Sequence, residues 1–150
     1  MMYLKAFLLS AIATFGFAMI FQSPRHTILP ACIASGISWV IYDICRDMYM
    51  NYMLSAFLAA VSVGTFGEFL SRRYHSPATL FILPGLIPLV PGAGMYYSMT
   101  HLIAQEYSKF IEIGAQTFFT AAALSIGVVV SSNFSRSLKR VKLRKKQNAQ

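Results

Sequence analysis

The sequence predicts an all-α protein, a polytopic bundle of transmembrane helices, and three observations predict it. Apolar and aromatic residues make up 56% of the chain and charged residues only 12%, about half the roughly 25% of soluble domains. That leaves too few polar side chains to cover a water-facing globule, so lipid must do the covering; the mean hydropathy of +0.55 agrees. The apolar residues also gather into about five long segments joined by short loops, with no internal repeat and no low-complexity linker, the pattern of one compact bundle.

The first segment runs from about Tyr3 to Phe21 and ends at Gln22-Ser23-Pro24-Arg25-His26. Its apolar run is longer than the core of a secretory signal, and only Lys5 precedes it, so we expect a retained helix. The second, Thr27 to Tyr42, is short, since sixteen helical residues rise only ~24 Å. Extension to Cys45 lets it cross, with Asp43 near the far interface. Asn51 to Leu70 forms the third, closed by Ser71-Arg72-Arg73 and Pro77. Ala78 to about Ala104 is the fourth, and Gly114 to Phe134 the fifth. We expect a membrane domain over 1–135 and a basic cytoplasmic tail over 136–150. Cys32 and Cys45 lie ~20 Å apart along one helix, beyond disulfide reach.

Charge sets the orientation. Of the thirteen Lys and Arg residues behind the net charge of +8, seven lie in the tail. With five crossings and the C-terminus in the cytoplasm, the inside also carries Arg25, Arg72 and Arg73, while Lys5, Arg46 and Lys109 stay outside. If the second segment does not span, the four-crossing alternative gives the same balance, because Arg25 and Lys5 exchange sides. Five is preferred, since Ile37-Ser38-Trp39-Val40-Ile41-Tyr42 is hard to place outside lipid. The basic tail suits anionic headgroups. It carries no aromatic after Phe134 on which bases would stack, so nucleic acid is not expected as a partner.

Small residues mark packing faces. They are Ala56, Ala60 and Gly64 in the third segment, Ala31, Ala34, Ser35 and Ser38 in the second, and Thr117, Ala121 and Ser125 in the fifth.

The fourth segment carries the functional signal. Phe81-Ile82-Leu83-Pro84-Gly85-Leu86-Ile87-Pro88-Leu89-Val90-Pro91-Gly92-Ala93-Gly94 holds three prolines and three glycines, and a regular helix does not run through it. In hydrocarbon, broken backbone survives only under protein cover or along a cavity, and transporters use such breaks to expose helix ends to solute. Pro84-Gly85 and Pro88 should end a first half-helix and leave carbonyls for a cation. Gly92-Ala93-Gly94 should open a second half-helix, whose free N–H groups suit a carboxylate. We therefore take Pro88, Pro91, Gly92, Gly94, Tyr96 and Tyr97 as candidate solute-binding residues; the competing reading is a structural kink packed against another subunit. Gln116, Thr117 and Thr120 are polar positions that would suit a cavity wall.

Glu68 is the only acidic residue inside an apolar segment and continues the small face of the third helix, which makes it a candidate for proton coupling. An ion pair with Arg72, one turn on, is the alternative. His101 is a second proton-relay candidate, or a histidine satisfied by a neighbouring carbonyl. No residues show the spacing of a metal site, a catalytic triad or a phosphate loop, so we expect no cofactor and no enzymatic chemistry.

Several of these stretches resemble the threonine/serine exporter family. Pro77-Ala78-Thr79 leading to Ile87-Pro88-Leu89-Val90-Pro91-Gly92 and Met95-Tyr96 is similar to its signature. Gly16-Phe17-Ala18-Met19-Ile20-Phe21-Gln22-Ser23-Pro24-Arg25 resembles its first helix and loop, and Gly64-Thr65-Phe66-Gly67-Glu68 with Ser71-Arg72-Arg73 its third. The likeness spans about Phe15 to Phe134. It implies a small subunit in a bacterial cytoplasmic (inner) membrane, equivalent to the C-terminal half of larger single-chain exporters. Such a subunit acts with a second, larger membrane subunit in proton-driven export of threonine, serine or dicarboxylates such as succinate. A non-transporting assembly or scaffold subunit is the alternative; it explains the packing faces but leaves the Pro/Gly break unused.

Overall fold

A computed structural model describes residues 2–147, and every regular element in them is helical. The order is α1 (Met2–Ile20), α2 (Arg25–Tyr49), α3 (Tyr52–Tyr74), α4 (Thr79–Leu86), a 3-10 turn (Ile87–Leu89), α5 (Gly92–Ile103) and α6 (Tyr107–Gln147). Helices α1, α2, α3 and the Tyr107–Ser135 part of α6 are long and apolar enough to cross a membrane. The pair Thr79–Leu89 and Gly92–Ile103, bent by 44°, would make a fifth span. The break expected in the fourth segment is therefore present.

The second segment is longer than its apolar run suggests, because α2 starts at Arg25 and continues seven residues past Tyr42. Its polar end is held locally: Arg46 lies 3.7 Å from Asp43 and 3.6 Å from Asp47, and the Tyr3 hydroxyl donates to Asp47 at 3.2 Å. Asp43 is buried rather than at the helix end. Pro30 is tolerated because it sits near the start of the helix, where only one intrahelical bond is forfeited. Asn51 caps α3 by accepting from the N–H groups of Met53 at 3.0 Å and Leu54 at 3.2 Å.

Helices α3 and α6 form the widest contact, and α2 lies between α1 and α3. Ala56, Ala59, Ala60 and Val63 of α3 meet Ile82, Leu89 and Leu124 in the main core, with Trp39 and Tyr42 of α2 packed against it. Close approach to α6 needs Gly127, since a Cβ there would lie 2.7 Å from both the Ala60 Cβ and the Phe57 carbonyl. The expected faces of α2 and α3 are buried as read. On α6, however, Ala121 and Ser125 are exposed, and the buried line runs through Thr120, Leu124, Gly127, Ser131 and Ser135. A strict four-residue step drifts about 40° per repeat around a 3.6-residue helix, which carries the expected stripe away from α3. Cys32 and Cys45 are both free on α2.

Candidate functional site

The site is built on the bend. Helix α4 does not end at Pro84-Gly85: both lie inside it and are buried, and the chain tightens into the 3-10 turn only after Leu86. Pro84, two residues before the end of this short helix, removes a single bond. Pro88 is the more consequential residue, because it has no N–H to give the carbonyls one turn earlier. Ser35 of α2 supplies a substitute donor, its hydroxyl reaching the Gly85 carbonyl at 3.2 Å. That hydroxyl in turn accepts from Thr14 of α1 at 2.7 Å and is 2.9 Å from the Ser10 hydroxyl. A buried cluster of hydroxyls from α1 and α2 thus compensates the break. In the sequence alone, Ser35 stands out only as a small packing residue.

Beyond the 3-10 turn, Val90 is extended and Pro91 precedes α5 with no side-chain cap. The Gly92 N–H turns back on the Val90 carbonyl at 2.7 Å, and the Met95 N–H bonds the Pro91 carbonyl at 3.2 Å. Between them, the N–H groups of Ala93 and Gly94 have no acceptor among the described residues. These two residues border a cavity of about 420 Å³, lined also by Tyr42, Tyr52, Pro91, Tyr97, Ile113, Gln116, Thr117 and Thr120. Its size falls within the roughly 300–1,000 Å³ of small-molecule sites. Gly94 is required by packing: a Cβ there would overlap the Thr117 hydroxyl.

The lining is largely apolar, with a few polar groups and no formal charge. Thr117 donates to the Ile113 carbonyl at 2.7 Å and Thr120 to the Gln116 carbonyl at 2.7 Å, so each hydroxyl offers the cavity only acceptor lone pairs. The α5 end offers N–H donors and its positive pole, while Gln116 and the three tyrosines have groups of either kind. A small solute with a carboxylate at one end and an ammonium or hydroxyl at the other would match this division.

The structure brings together some of the candidates read from the sequence. Pro91, Gly94 and Tyr97 line the cavity, as do Gln116, Thr117 and Thr120. Pro88 faces a separate groove with Trp39 and Ser10. Gly92 and Tyr96 are exposed on α5, outside the cavity lining. Tyr42, Tyr52, Ala93 and Ile113 were not anticipated. The two tyrosines come from the facing ends of α2 and α3, which only the tertiary fold places beside α5.

Glu68 is half-buried toward the opposite end of α3 and makes no hydrogen bond or ion pair with the described side chains. The alternative pairing with Arg72 does not form; the Arg72 guanidinium donates instead to the Ser135 carbonyl and hydroxyl, both at 2.8 Å. His101 is not bonded to a carbonyl. Its Nδ1 lies 2.8 Å from Glu106, which also binds Lys109 at 2.9 Å. Lys109 first, and His101 second, hold the exposed Glu106 carboxyl below its ordinary pKa. This cluster ties α5 to α6 at their connection, apart from the cavity lining. No three His, Cys, Asp or Glu side chains among the described residues are grouped to hold a metal.

A family model described as Threonine/Serine exporter, ThrE, fits residues 6–134. No solved structure matches the chain. With its apolar helices, the match makes this a multi-pass membrane protein of a transporter family.

Proposed function

We propose that this chain, which belongs to the threonine/serine exporter family, is the small subunit of a secondary exporter that binds its solute at the start of α5. The solute is a small hydroxy amino acid such as threonine or serine, or a dicarboxylate such as succinate. A carboxylate of the solute meets the Ala93 and Gly94 N–H groups; the ammonium or hydroxyl of an amino acid meets the acceptors of Thr117 and Thr120, whereas the second carboxylate of a dicarboxylate turns to the donors of Gln116 and the tyrosines. The observation that carries this reading is the coincidence of two open backbone donors with an uncharged, largely apolar cavity at the bend that places a few polar groups opposite them.

The chain crosses five times with its C-terminus in the bacterial cytoplasm, which puts the cavity in the outer half of the membrane and Glu68 in the inner half. Transport is driven by the proton gradient, with Glu68 the candidate carrier of the proton; a second, larger membrane subunit completes the path. Reconstitution into liposomes with and without that subunit, using labelled threonine, serine and succinate, tests the proposal. We expect efflux only from the pair, increased by an imposed proton gradient. Full activity of this chain alone would remove the partner, and no efflux of any of the three solutes from the pair would remove the exporter function.

A further inference from the structure

Two apolar grooves flank the start of α2 and meet at one cation. The first, of about 520 Å³, lies between α2 and α3, with Leu29, Ile33 and Ile37 on one wall and Phe66 and Phe69 on the other. The second, of about 400 Å³, lies between α1 and α2 and is lined by Phe15, Met19, Ile28 and Cys32. Arg25 and Leu29 border both. Arg25 is exposed and has no ion pair among the described residues. The one acidic side chain of that half of the bundle, Glu68, lines neither groove. The first turn of α2 has no acidic residue and no side-chain cap, so its positive pole adds to the Arg25 charge. Two residues earlier, the buried Ser23 hydroxyl has no hydrogen-bond partner among the described residues. His26, bonded to Ser76 at 3.2 Å, fixes the α2 start against the α3–α4 connection at the groove rim.

We propose that Arg25 anchors the phosphate of one anionic diacyl phospholipid whose two acyl chains lie in these grooves, one on each side of α2. Two apolar troughs that share a single cation fit a two-chain amphiphile. A partner helix would fill one trough and leave the guanidinium uncompensated. Length agrees: from Arg25 to Ile37 the first groove follows α2 for ~18 Å, close to one leaflet of a ~30 Å hydrocarbon core and too short for a spanning helix. An anionic headgroup is favoured over a zwitterionic one, because the latter brings its own ammonium close to the guanidinium.

The test is native mass spectrometry of the purified full chain, released from detergent with equal amounts of phosphatidylglycerol, phosphatidylethanolamine and lysophosphatidylglycerol. The wild-type chain should retain diacyl phosphatidylglycerol above the other two. Arg25→Gln should lower that retention about tenfold, the weight of one charge-assisted hydrogen bond. Arg73→Gln, at the same end of the bundle but lining neither groove, should leave it unchanged. Equal retention by wild type and Arg25→Gln, an equal loss in Arg73→Gln, or lysolipid held as firmly as diacyl lipid would each overturn the proposal. Displacement of phosphatidylglycerol by the larger exporter subunit would assign the grooves to that protein and overturn it as well.

Discussion

Gly94→Ala is the sharpest test of how the bend is held. The added methyl would overlap the Thr117 hydroxyl and lie 3.3 Å from both the Thr117 Cβ and its methyl group. Turning the Cβ hydrogen of Thr117 toward the new methyl would disturb the bond its hydroxyl makes to the Ile113 carbonyl, and without that turn α5 and α6 must separate. Overpacking of this kind costs about 1–3 kcal/mol, against a helix-propensity gain of about 1 kcal/mol for the same change. Gly92→Ala, two residues earlier on the same helix, meets nothing within 4 Å and carries the gain without the clash. The two variants should therefore differ by about 1–3 kcal/mol, with Gly94→Ala the less stable. Thr117→Ala in the Gly94→Ala background should recover most of the difference, as coupled neighbours do. Denaturant unfolding in detergent reads this through the fluorescence of Trp39, the single tryptophan, which packs against the main core. A Gly94→Ala protein as stable as Gly92→Ala would refute the close α5–α6 approach and the cavity wall built on it.

Other perturbations follow from the same geometry. Ser35→Ala removes the donor to the Gly85 carbonyl and the partner of Thr14 and Ser10, and should lower stability by about 1–3 kcal/mol in the same unfolding assay. Glu106 has a lowered pKa in the fold, so its contribution is complete above the ordinary carboxylate range and is lost as pH falls through the lowered value. Melting curves of wild type and Glu106→Gln should therefore differ at neutral pH and converge in acid; a gap that persists in acid would contradict the Lys109 and His101 bonds. Glu68→Gln should flatten the pH dependence of efflux from proteoliposomes, and an unaltered profile would take Glu68 out of the proton route.

Much of this was legible in the sequence, because lipid enforces simple rules. The helical bundle and the place of the break follow from apolar run length and from three prolines within eight residues, Pro84 to Pro91. The α5 start followed from Gly92-Ala93-Gly94 after Pro91. Less could be read where partners lie far apart in the chain. Ser35 is fifty residues from the Gly85 carbonyl, and nothing local distinguishes it from Ser38, which bonds its own helix at the Ala34 carbonyl. Tyr42 and Tyr52 reach the cavity only because α2 and α3 turn back on each other at Met50, a left-handed residue with φ of 48°. The α6 face differs from the Thr117, Ala121 and Ser125 stripe because a four-residue repeat of small residues drifts around the helix, whereas a contact line against a straight neighbour follows 3.6.

The most direct measurement is solute protection at Ala93. In a protein with Cys32→Ala and Cys45→Ala, Ala93→Cys places a thiol on the cavity wall, beside the two open N–H groups. A membrane-impermeant maleimide should label it in the assembled exporter, and saturating threonine, serine or succinate should slow that labelling. Labelling at the same rate with every one of these solutes present would contradict a solute site at the start of α5.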